Sequence, residues 1–215
     1  MVDALEFGTL DATNKKSPKV AESPRHKILL LDNFDSFTYN LKYQLQEFGT
    51  VKTWRNDVAL DKLIAQALAS DLVVLSPGPG NPAKAGNLLA LIKAVAGQVP
   101  MFGICLGHQA LVEAFGGVIG PAPAILHGKT SDMQHAGDSL FRNLPKPLSI
   151  ARYHSLVASE VPDNFQVTAS VGGQVMAVED KAQKLFGVQF HPESILTTYG
   201  QQLFSNVFAC VGLEE

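Results

Sequence analysis

Strand-like runs alternate with helical stripes four times between Lys27 and Gly117, and this alternation constrains the fold more than any other feature of the sequence. The strand-like runs are KILLLD, VKTWR, DLVVL and PMFGI. Each run is followed by residues at helical spacing. The first three are followed by apolar stripes: Leu41, Leu45 and Phe48, with Gly49 as a stop; Leu60, Leu63, Ile64, Ala67 and Leu68; and Leu88, Leu91, Ile92 and Val95. The fourth is followed by the helix-like segment GHQALVEAF. Such alternation is typical of right-handed βαβ units. The sequence therefore predicts an α/β fold with a mainly parallel, doubly wound sheet and helices on both faces.

The sequence after Gly117 predicts a different part of the fold. Its short runs AILHG, LSIARY, LVASE, FQVTASV, QVMAVE and LFGVQFH have few helical stripes between them. We expect a small antiparallel extension on the same core, closed by a helix that carries Leu203, Val207 and Val211. Residues 1–26 lack sustained periodicity and are rich in polar residues, which predicts a flexible N-terminal tail before one domain at 27–215.

Composition and charge limit the classes of function. The 215 residues are 46% hydrophobic, which suits one domain with a full core. A net charge of −3 gives no basic field for nucleic acid or an acidic membrane, and no apolar run is long enough to span a bilayer. We interpret Cys105 and Cys210 as reduced thiols of a cytoplasmic protein, with Cys210 in the core. No metal site is expected, because the sequence has neither a C-x-x-C pair nor an H-E-x-x-H helix.

Cys105 lies where a strand-like run meets a helix-like run. The segment Gly103–Ile104–Cys105–Leu106–Gly107 has the form G-x-nucleophile-x-G, with sulfur in place of a hydroxyl. Glycines permit a sharp turn that strains the nucleophile, and the following helix N-terminus favours a thiolate and can stabilise an oxyanion. The alternative is a small buried hydrophobic residue, and the turn alone favours neither interpretation.

The segment VQFHPES offers a base for this cysteine. Residues two apart in extended backbone face the same side, so Glu193 could hold His191 in one tautomer while its other nitrogen faces the thiol. The alternative is an ordinary surface pair at a strand end. His108 is a rival base, although a residue beside the nucleophile on a helix usually points away from it. His154 is interpreted as a residue that lines the wall of the site or as a structural residue.

Two further features could serve a substrate. The loop LSPGPGNP, from Leu75 to Pro82, has prolines and glycines that fix an extended backbone with free amides. It could supply an oxyanion donor, or it could be a rigid turn and nothing more. Gln109 lies on the helix after Cys105 and could reach a substrate amide, or it could be a solvated helix residue.

Together these motifs resemble those of the class I glutamine amidotransferases. The resemblance extends from about Ile28 to the last helix, through LLLDNFDSFTYNL, LSPGPGNP, GICLGHQAL, ILHGKTS, ARYHSLV and GVQFHPESILTTYG in that order. It implies the flavodoxin-like fold of that class and a triad in which Cys105 attacks the side-chain amide of glutamine, His191 transfers protons and Glu193 orients His191. It also implies that backbone amides of Leu106 and Gly78 bind the oxyanion, and that the glutamine is held by Gly78, Pro79, Gly80, Gln109, Ser155 and Leu156.

The resemblance also implies a partner. The segments DNFDSFTYN, HGK and FHPESILT are shared by the glutaminase subunits of two chorismate-aminating synthases, which make anthranilate or aminodeoxychorismate, and SPGPGNP and ILTTYG favour the anthranilate branch. The implied partner is the component I synthase subunit of one of them, which would receive ammonia and carry Mg²⁺, with no cofactor in this chain. The implied contact residues are Ser36, Tyr39, His127, Gly128 and Lys129.

Two other classes of protein remain as alternatives at this point. One is a binding or regulatory module with an inactive site, which the intact set of Cys105, His191 and Glu193 disfavours. The other is a different cysteine hydrolase that acts on peptides or γ-glutamyl compounds. Such an enzyme would have no reason to carry DSFTYN and HGK in addition to its cysteine and histidine.

Overall fold

A computed structural model of the chain describes residues 26–123 and 128–214. Its strands are β1 His26–Asp32, β2 Gly49–Arg55, β3 Leu72–Leu75, β4 Met101–Ile104, β5 Val118–Pro121, β6 Lys129–His135, β7 Leu148–Arg152, β8 Leu156–Glu160, β9 Gln166–Val171, β10 Gln174–Asp180 and β11 Leu185–Val188. Its α-helices are α1 Thr38–Leu45, α2 Leu60–Leu68, α3 Leu88–Val95, α4 Leu106–Ala114 and α5 Gly200–Val211.

Most of the strands form one sheet. Within the described residues its order is β2-β1-β3-β4-β11-β10-β9-β6-β7, and β5 pairs with β8 in a separate ribbon. The strands from β2 to β11 in this order are parallel, and β10, β9, β6 and β7 continue the sheet with antiparallel pairing. The predicted parallel sheet and its antiparallel extension are both confirmed.

Helices cover both faces of the parallel part. Along β1, Ile28 and Leu30 pack in one core cluster with residues of α1 and α5, while Leu29 and Leu31 pack in a second cluster with residues of α2, α3 and α4. All four side chains are buried. A strand that is covered on both faces needs this continuous apolar run, because neither set of alternate side chains meets water.

Several boundaries differ from the sequence prediction. Helix α1 ends at Leu45, so Phe48 lies in the following turn, and Gly49 begins β2 rather than ending the helix. A side chain at Gly49 would collide with the backbone carbonyl of His26, so the position needs glycine for this close approach. His26, assigned to the tail, is the first residue of β1, and the rest of the predicted tail lies outside the described residues.

The second half also contains strands that the prediction missed. Strands β5 and β6 were not predicted, and β6 carries the largely polar sequence KTSDMQH. The predicted strand AILHG falls mostly on residues 124–127, which lie outside the described residues. Strand β11 ends at Val188, before the predicted end at His191. Among the described helices, none is both long and apolar enough to cross a bilayer.

Candidate active site

The candidate residues gather at the carboxyl edge of the parallel strands. Cys105 follows β4, the LSPGPGNP loop follows β3, and Gln189 to Glu193 follow β11. Strands β3, β4 and β11 are neighbours in the sheet. Segments distant in sequence therefore meet at one edge, which is where open α/β sheets place their sites.

Cys105 occupies a strained turn between β4 and α4. Its backbone has φ 51° and ψ −100°, a positive-φ conformation that residues other than glycine rarely adopt. Its N–H donates to the Val188 carbonyl at 2.8 Å, and its own carbonyl accepts from the N–H of Gln109 at 3.0 Å. A Cβ at Gly103 would lie 2.5 Å from the Gly107 carbonyl carbon, so the turn requires glycine there. Strand β11 and helix α4 thus hold the thiol at the helix N-terminus.

His191 and Glu193 form a buried pair beside this turn. Nδ1 of His191 lies 2.6 Å from Oε1 of Glu193. The backbone holds the ring in place, since the N–H of His191 donates to the Ala151 carbonyl at 3.1 Å and its carbonyl accepts from the Thr197 hydroxyl at 2.7 Å. Nε2 makes no hydrogen bond of strict geometry with a described residue, but the Cys105 thiol lies close enough to interact with the ring, and Nε2 is the ring atom available to it.

Electrostatics place a proton on this imidazole. Burial lowers the pKa of His191, but the Cys105 sulfur and the Glu193 carboxylate more than offset it and raise the pKa to about 10. The rings of Phe37 and Tyr153 pack edge-on against the imidazole, with centroids 5.5 Å and 5.0 Å away. The sulfur and the carboxylate therefore favour the protonated imidazole, in a pocket that two aromatic rings shield.

The two residues predicted to donate to the oxyanion, Gly78 and Leu106, pack against each other. A Cβ at Gly78 would lie 2.7 Å from Cδ2 of Leu106 and 2.6 Å from the Asn33 carbonyl oxygen, so only glycine fits. The backbone N–H groups of Gly78 and Leu106 form no hydrogen bond with any described residue. Two free donors beside the cysteine could bind a developing negative charge.

Buried polar side chains anchor the loop that carries Gly78. The N–H and Nδ2 of Asn33 donate to the hydroxyl and the carbonyl oxygen of Ser76, each at 2.8 Å, and Asn56 donates to Oδ1 of Asn33 at 2.9 Å. These bonds tie the end of β1 to the end of β3. Pro79 and Gly80 lie beyond this anchor and are exposed, and a Cβ at Gly80 would have no neighbour within 4 Å.

Gln109 and Leu156, both predicted to hold glutamine, are brought together. Gln109 is 3% exposed, and its Nε2 donates to the Leu156 carbonyl and to Oε1 of Gln189, each at 3.1 Å. The interpretation of Gln109 as a solvated helix residue is therefore wrong. Ser155 is exposed beside Leu156, and its carbonyl accepts from the N–H of Ala122 at 2.8 Å.

Gln189 is a site residue that the sequence analysis missed. It is fully buried, and its Nε2 lies 3.6 Å from Sγ of Cys105, a distance compatible with an N–H···S hydrogen bond. A signal was present in the sequence, because Gln189 is a polar residue in an apolar run, two positions before His191. Residues at that spacing share a side of extended backbone.

The two other histidines near the site are uncharged. Burial, followed by the charge of His154, lowers the pKa of His108 to about 3. His108 is fully buried against Gly187 of β11, and its lowered pKa makes it a weak base. Burial and the charge of Arg152 lower the pKa of His154 to about 4, and its ring accepts from Nε of Arg152 at 3.1 Å and donates to the Leu156 carbonyl at 3.1 Å. His154 thus packs behind Leu156, one of the residues predicted to bind glutamine.

The predicted partner-contact residues lie on the surface around the site. Ser36 is exposed, and Tyr39 is 82% exposed on α1. Gly128 and Lys129 are exposed at the start of β6, and a Cβ at Gly128 would lie 3.5 Å from the ring of Tyr153 that packs on His191. His127 lies outside the described residues.

Cys210 lies away from this site. It is half-buried on α5 against the apolar core, 3.4 Å from the Ser139 hydroxyl, and burial raises its pKa. Within residues 26–123 and 128–214, no cluster of three or more histidine, cysteine or acidic side chains could hold a metal ion. Of the two cysteines, Cys105 is the one that lies beside the His191–Glu193 pair.

A thiol on a strained turn, a histidine–carboxylate pair and adjacent free amides define the class of the protein. Residues 29–211 match the family model for class-I glutamine amidotransferases, and the chain belongs to this family. Proteins named anthranilate synthase component 2 are similar to it. The one from Vibrio parahaemolyticus is 52% identical over 83% of this chain and 93% of its own length, and the one from Haemophilus influenzae is 49% identical over 82% and 93%.

A further relative and a solved structure agree with this placement. A pyocyanine-specific anthranilate synthase component 2 from Pseudomonas aeruginosa is 47% identical over 86% of this chain and 94% of its own length. The crystal structure of a protein assigned as a GMP synthase subunit from Thermoplasma acidophilum superposes with a TM-score of 0.74 at 27% identity, covering 87% of this chain and 94% of that one. Both are similar over nearly the whole fold.

Proposed function

We propose that this chain hydrolyses L-glutamine and passes the ammonia to a synthase subunit that converts chorismate to anthranilate, a step towards tryptophan. Its membership of the glutamine amidotransferase family and its likeness to proteins named anthranilate synthase component 2 support this proposal. The single observation that carries it is the assembly of Cys105, the His191–Glu193 pair and the free amides of Gly78 and Leu106 at one sheet edge.

The first half of the proposed reaction forms a thioester. Sγ of Cys105, after losing its proton to His191, attacks the side-chain amide carbon of glutamine, and the carbonyl oxygen becomes an oxyanion held by the amides of Leu106 and Gly78. His191 then protonates the leaving nitrogen, the C–N bond breaks, and ammonia departs. The raised pKa of His191 keeps this proton on the ring until the leaving group takes it.

The second half restores the enzyme. His191, now neutral, takes a proton from water as the water attacks the thioester carbon, and the C–S bond breaks to release glutamate. Glu193 accepts the hydrogen bond from Nδ1 throughout, so that Nε2 is always the nitrogen that exchanges protons. In this proposal the steps use only side chains and backbone amides of this chain, and Mg²⁺ is assigned to the partner subunit.

The amide of Gln109 restricts how glutamine can bind. Its two N–H groups donate hydrogen bonds within the protein, one to the Leu156 carbonyl and one to Oε1 of Gln189. Only its oxygen remains as an acceptor for a ligand, and that oxygen suits the α-ammonium or the amide NH₂ of the substrate. Exposed Ser155, Pro79 and Gly80 would complete the open side of the pocket.

A partner subunit fits the surface beside the triad. Ammonia that escapes into water becomes ammonium and loses its nucleophilicity, so the acceptor must lie against the site. Tyr39, Tyr43 and Ile195 are 82%, 73% and 96% exposed, and Ile195 follows the catalytic Glu193 by two positions. Large exposed apolar side chains around a site indicate a surface that another protein covers. We assign this surface, with Ser36 and the segment from His127 to Lys129, to the synthase subunit.

A direct assay tests the proposal. The purified chain is mixed with glutamine and chorismate, alone and with a component I synthase that makes anthranilate or one that makes aminodeoxychorismate. We expect glutamate release and product with the anthranilate-forming synthase, and no activity with Cys105→Ala. Product with only the aminodeoxychorismate-forming synthase would show that the chain serves folate biosynthesis instead. Turnover that survives in Cys105→Ala would overturn the mechanism.

A further inference from the structure

We propose that Gln189 donates a hydrogen bond to the Cys105 sulfur and stabilises its thiolate, with Gln109 fixing the direction of that bond. The inference rests on the proposed role of Cys105 as the nucleophile. Nε2 of Gln189 lies 3.6 Å from Sγ, and Gln189 is fully buried. A hydrogen bond to a charged acceptor in a buried site is stronger than one to a neutral acceptor.

The donor direction follows from the hydrogen-bond network behind the cysteine. The Leu156 carbonyl can only accept, so the Gln109 group 3.1 Å from it must be the NH₂. The same NH₂ lies 3.1 Å from the amide of Gln189, which must present its oxygen there. The remaining end of the Gln189 amide is its NH₂, and this end faces Sγ. The sulfur therefore meets a donor.

The hydrogen bonds of Arg152 and His154 give the same orientation of the two glutamine amides. Arg152 is only a donor, so the Nε2 of His154 that it contacts at 3.1 Å must accept, and the ring hydrogen lies on Nδ1. That Nδ1–H donates to the Leu156 carbonyl at 3.1 Å, so this carbonyl accepts from both His154 and Gln109. Rotation of either amide would place two donors or two acceptors against each other.

The backbone also fixes the position of Gln189. Its N–H donates to the Met176 carbonyl at 2.8 Å. Gly187 and Val188, which precede it, pair with Gly103 and Ile104, which precede Cys105. Neighbouring parallel strands therefore deliver the donor and the sulfur to the same edge of the sheet. This arrangement leaves the amide little freedom to turn away from the thiolate.

The test is the pH dependence of Cys105 alkylation by iodoacetamide in the full chain, read by mass spectrometry so that Cys210 is counted separately. Gln189→Met keeps the side-chain length and removes the donor. We expect the midpoint of alkylation to rise by about one pH unit, equivalent to about tenfold less thiolate below the midpoint. Gln189→Glu, which places a carboxylate near the sulfur, should raise the midpoint further. Gln98→Met, at an exposed glutamine remote from the site, serves as the matched control and should leave it unchanged.

Turnover gives an independent readout. With the partner synthase present, Gln189→Met should lower kcat for glutamine about tenfold with little change in KM. Gln109→Met should raise KM and also shift the alkylation midpoint upward. A folded Gln189→Met or Gln189→Glu with an unchanged midpoint would overturn the inference. Because alkylation needs neither glutamine nor a partner, this result is distinct from failure of the proposed function, which would appear as turnover in Cys105→Ala.

Discussion

Nδ1 of His191 lies 2.6 Å from Oε1 of Glu193, and the two side chains are buried together beside Cys105. The second carboxylate oxygen of Glu193 has no hydrogen-bond partner among the described residues. A buried carboxylate with so few partners is costly unless a positive charge lies next to it. The imidazolium provides that charge, and the pair is stable only as a unit.

Replacing this carboxylate should lower activity without displacing the ring. In Glu193→Gln, the amide oxygen can still accept from Nδ1, but the pKa of His191 should fall from about 10 because a negative charge is lost. We expect kcat to fall by about 10²-fold or more. The measurement is glutamate release with the partner synthase, together with an NMR titration of the ring. An unchanged pKa of His191 in the variant would contradict this account.

Gly78 should be intolerant of even one methyl group. In Gly78→Ala, the new Cβ would collide with the Asn33 carbonyl and with Leu106, so the loop must move away from the cysteine turn. Loss of one oxyanion donor typically lowers kcat by about 10²- to 10³-fold, and we expect a loss of that order. The assay is glutamine turnover with the partner synthase, accompanied by a thermal melt.

A matched variant separates this effect from a general response to alanine. At Gly120, the new Cβ would meet only the Ser159 side chain, at 3.4 Å or more, an ordinary contact. Gly120→Ala should therefore keep full turnover. If Gly78→Ala were equally active, the amide of Gly78 would have no part in binding the oxyanion.

The sequence predicts the parts of the site that depend on local spacing. The four strand–helix repeats follow from apolar periodicity. The contact between His191 and Glu193 is predicted from their separation of two residues, although β11 ends at Val188 and Glu193 lies in a turn rather than in extended backbone. The strained turn at Cys105 follows from its flanking glycines. In each case the physical cause lies within a few residues along the chain.

Long-range pairing accounts for what the sequence could not predict. Strand β6 has a polar sequence, and it is held in the sheet by antiparallel pairing with β7 and with residues 169 and 170 of β9. Gln189 reaches Cys105 only because β11 pairs with β4, although the two residues are 84 positions apart. Gln109 is buried, and its Nε2 donates to the Leu156 carbonyl 47 positions away. No local pattern encodes such contacts.

The backbone strain at Cys105 should be measurable as a difference in the free energy of unfolding between two variants at this position. A φ of 51° is costly for any residue with a Cβ and not for glycine. We expect Cys105→Gly to be more stable than Cys105→Ala by about 1 kcal/mol in the free energy of unfolding. Urea denaturation of the two variants checks this. At an unstrained helix start the order would be reversed, so a more stable alanine variant would show that the turn holds no strain.

The buried neutral histidines should make the fold sensitive to acid. The pKa values of His108 and His154 are lowered from 6.5 to about 3 and about 4. Between pH 6.5 and about 4 the unfolded chain therefore binds protons at these rings that the folded chain does not. Their contribution to stability is complete above pH 6.5 and is lost as the pH falls, by up to about 1.4 kcal/mol per pH unit for each ring.

A variant without one ring isolates its contribution. In His108→Leu, one of the two rings is removed, and the free energy of unfolding should decrease less steeply from pH 6.5 towards pH 4 than in the parent. Acidic groups titrate equally in both proteins, so they cancel in the comparison. His191 stays protonated over this range, because its pKa is raised to about 10, and does not contribute. Urea denaturation at several pH values gives both slopes, and identical slopes would mean that His108 is protonated in the folded protein.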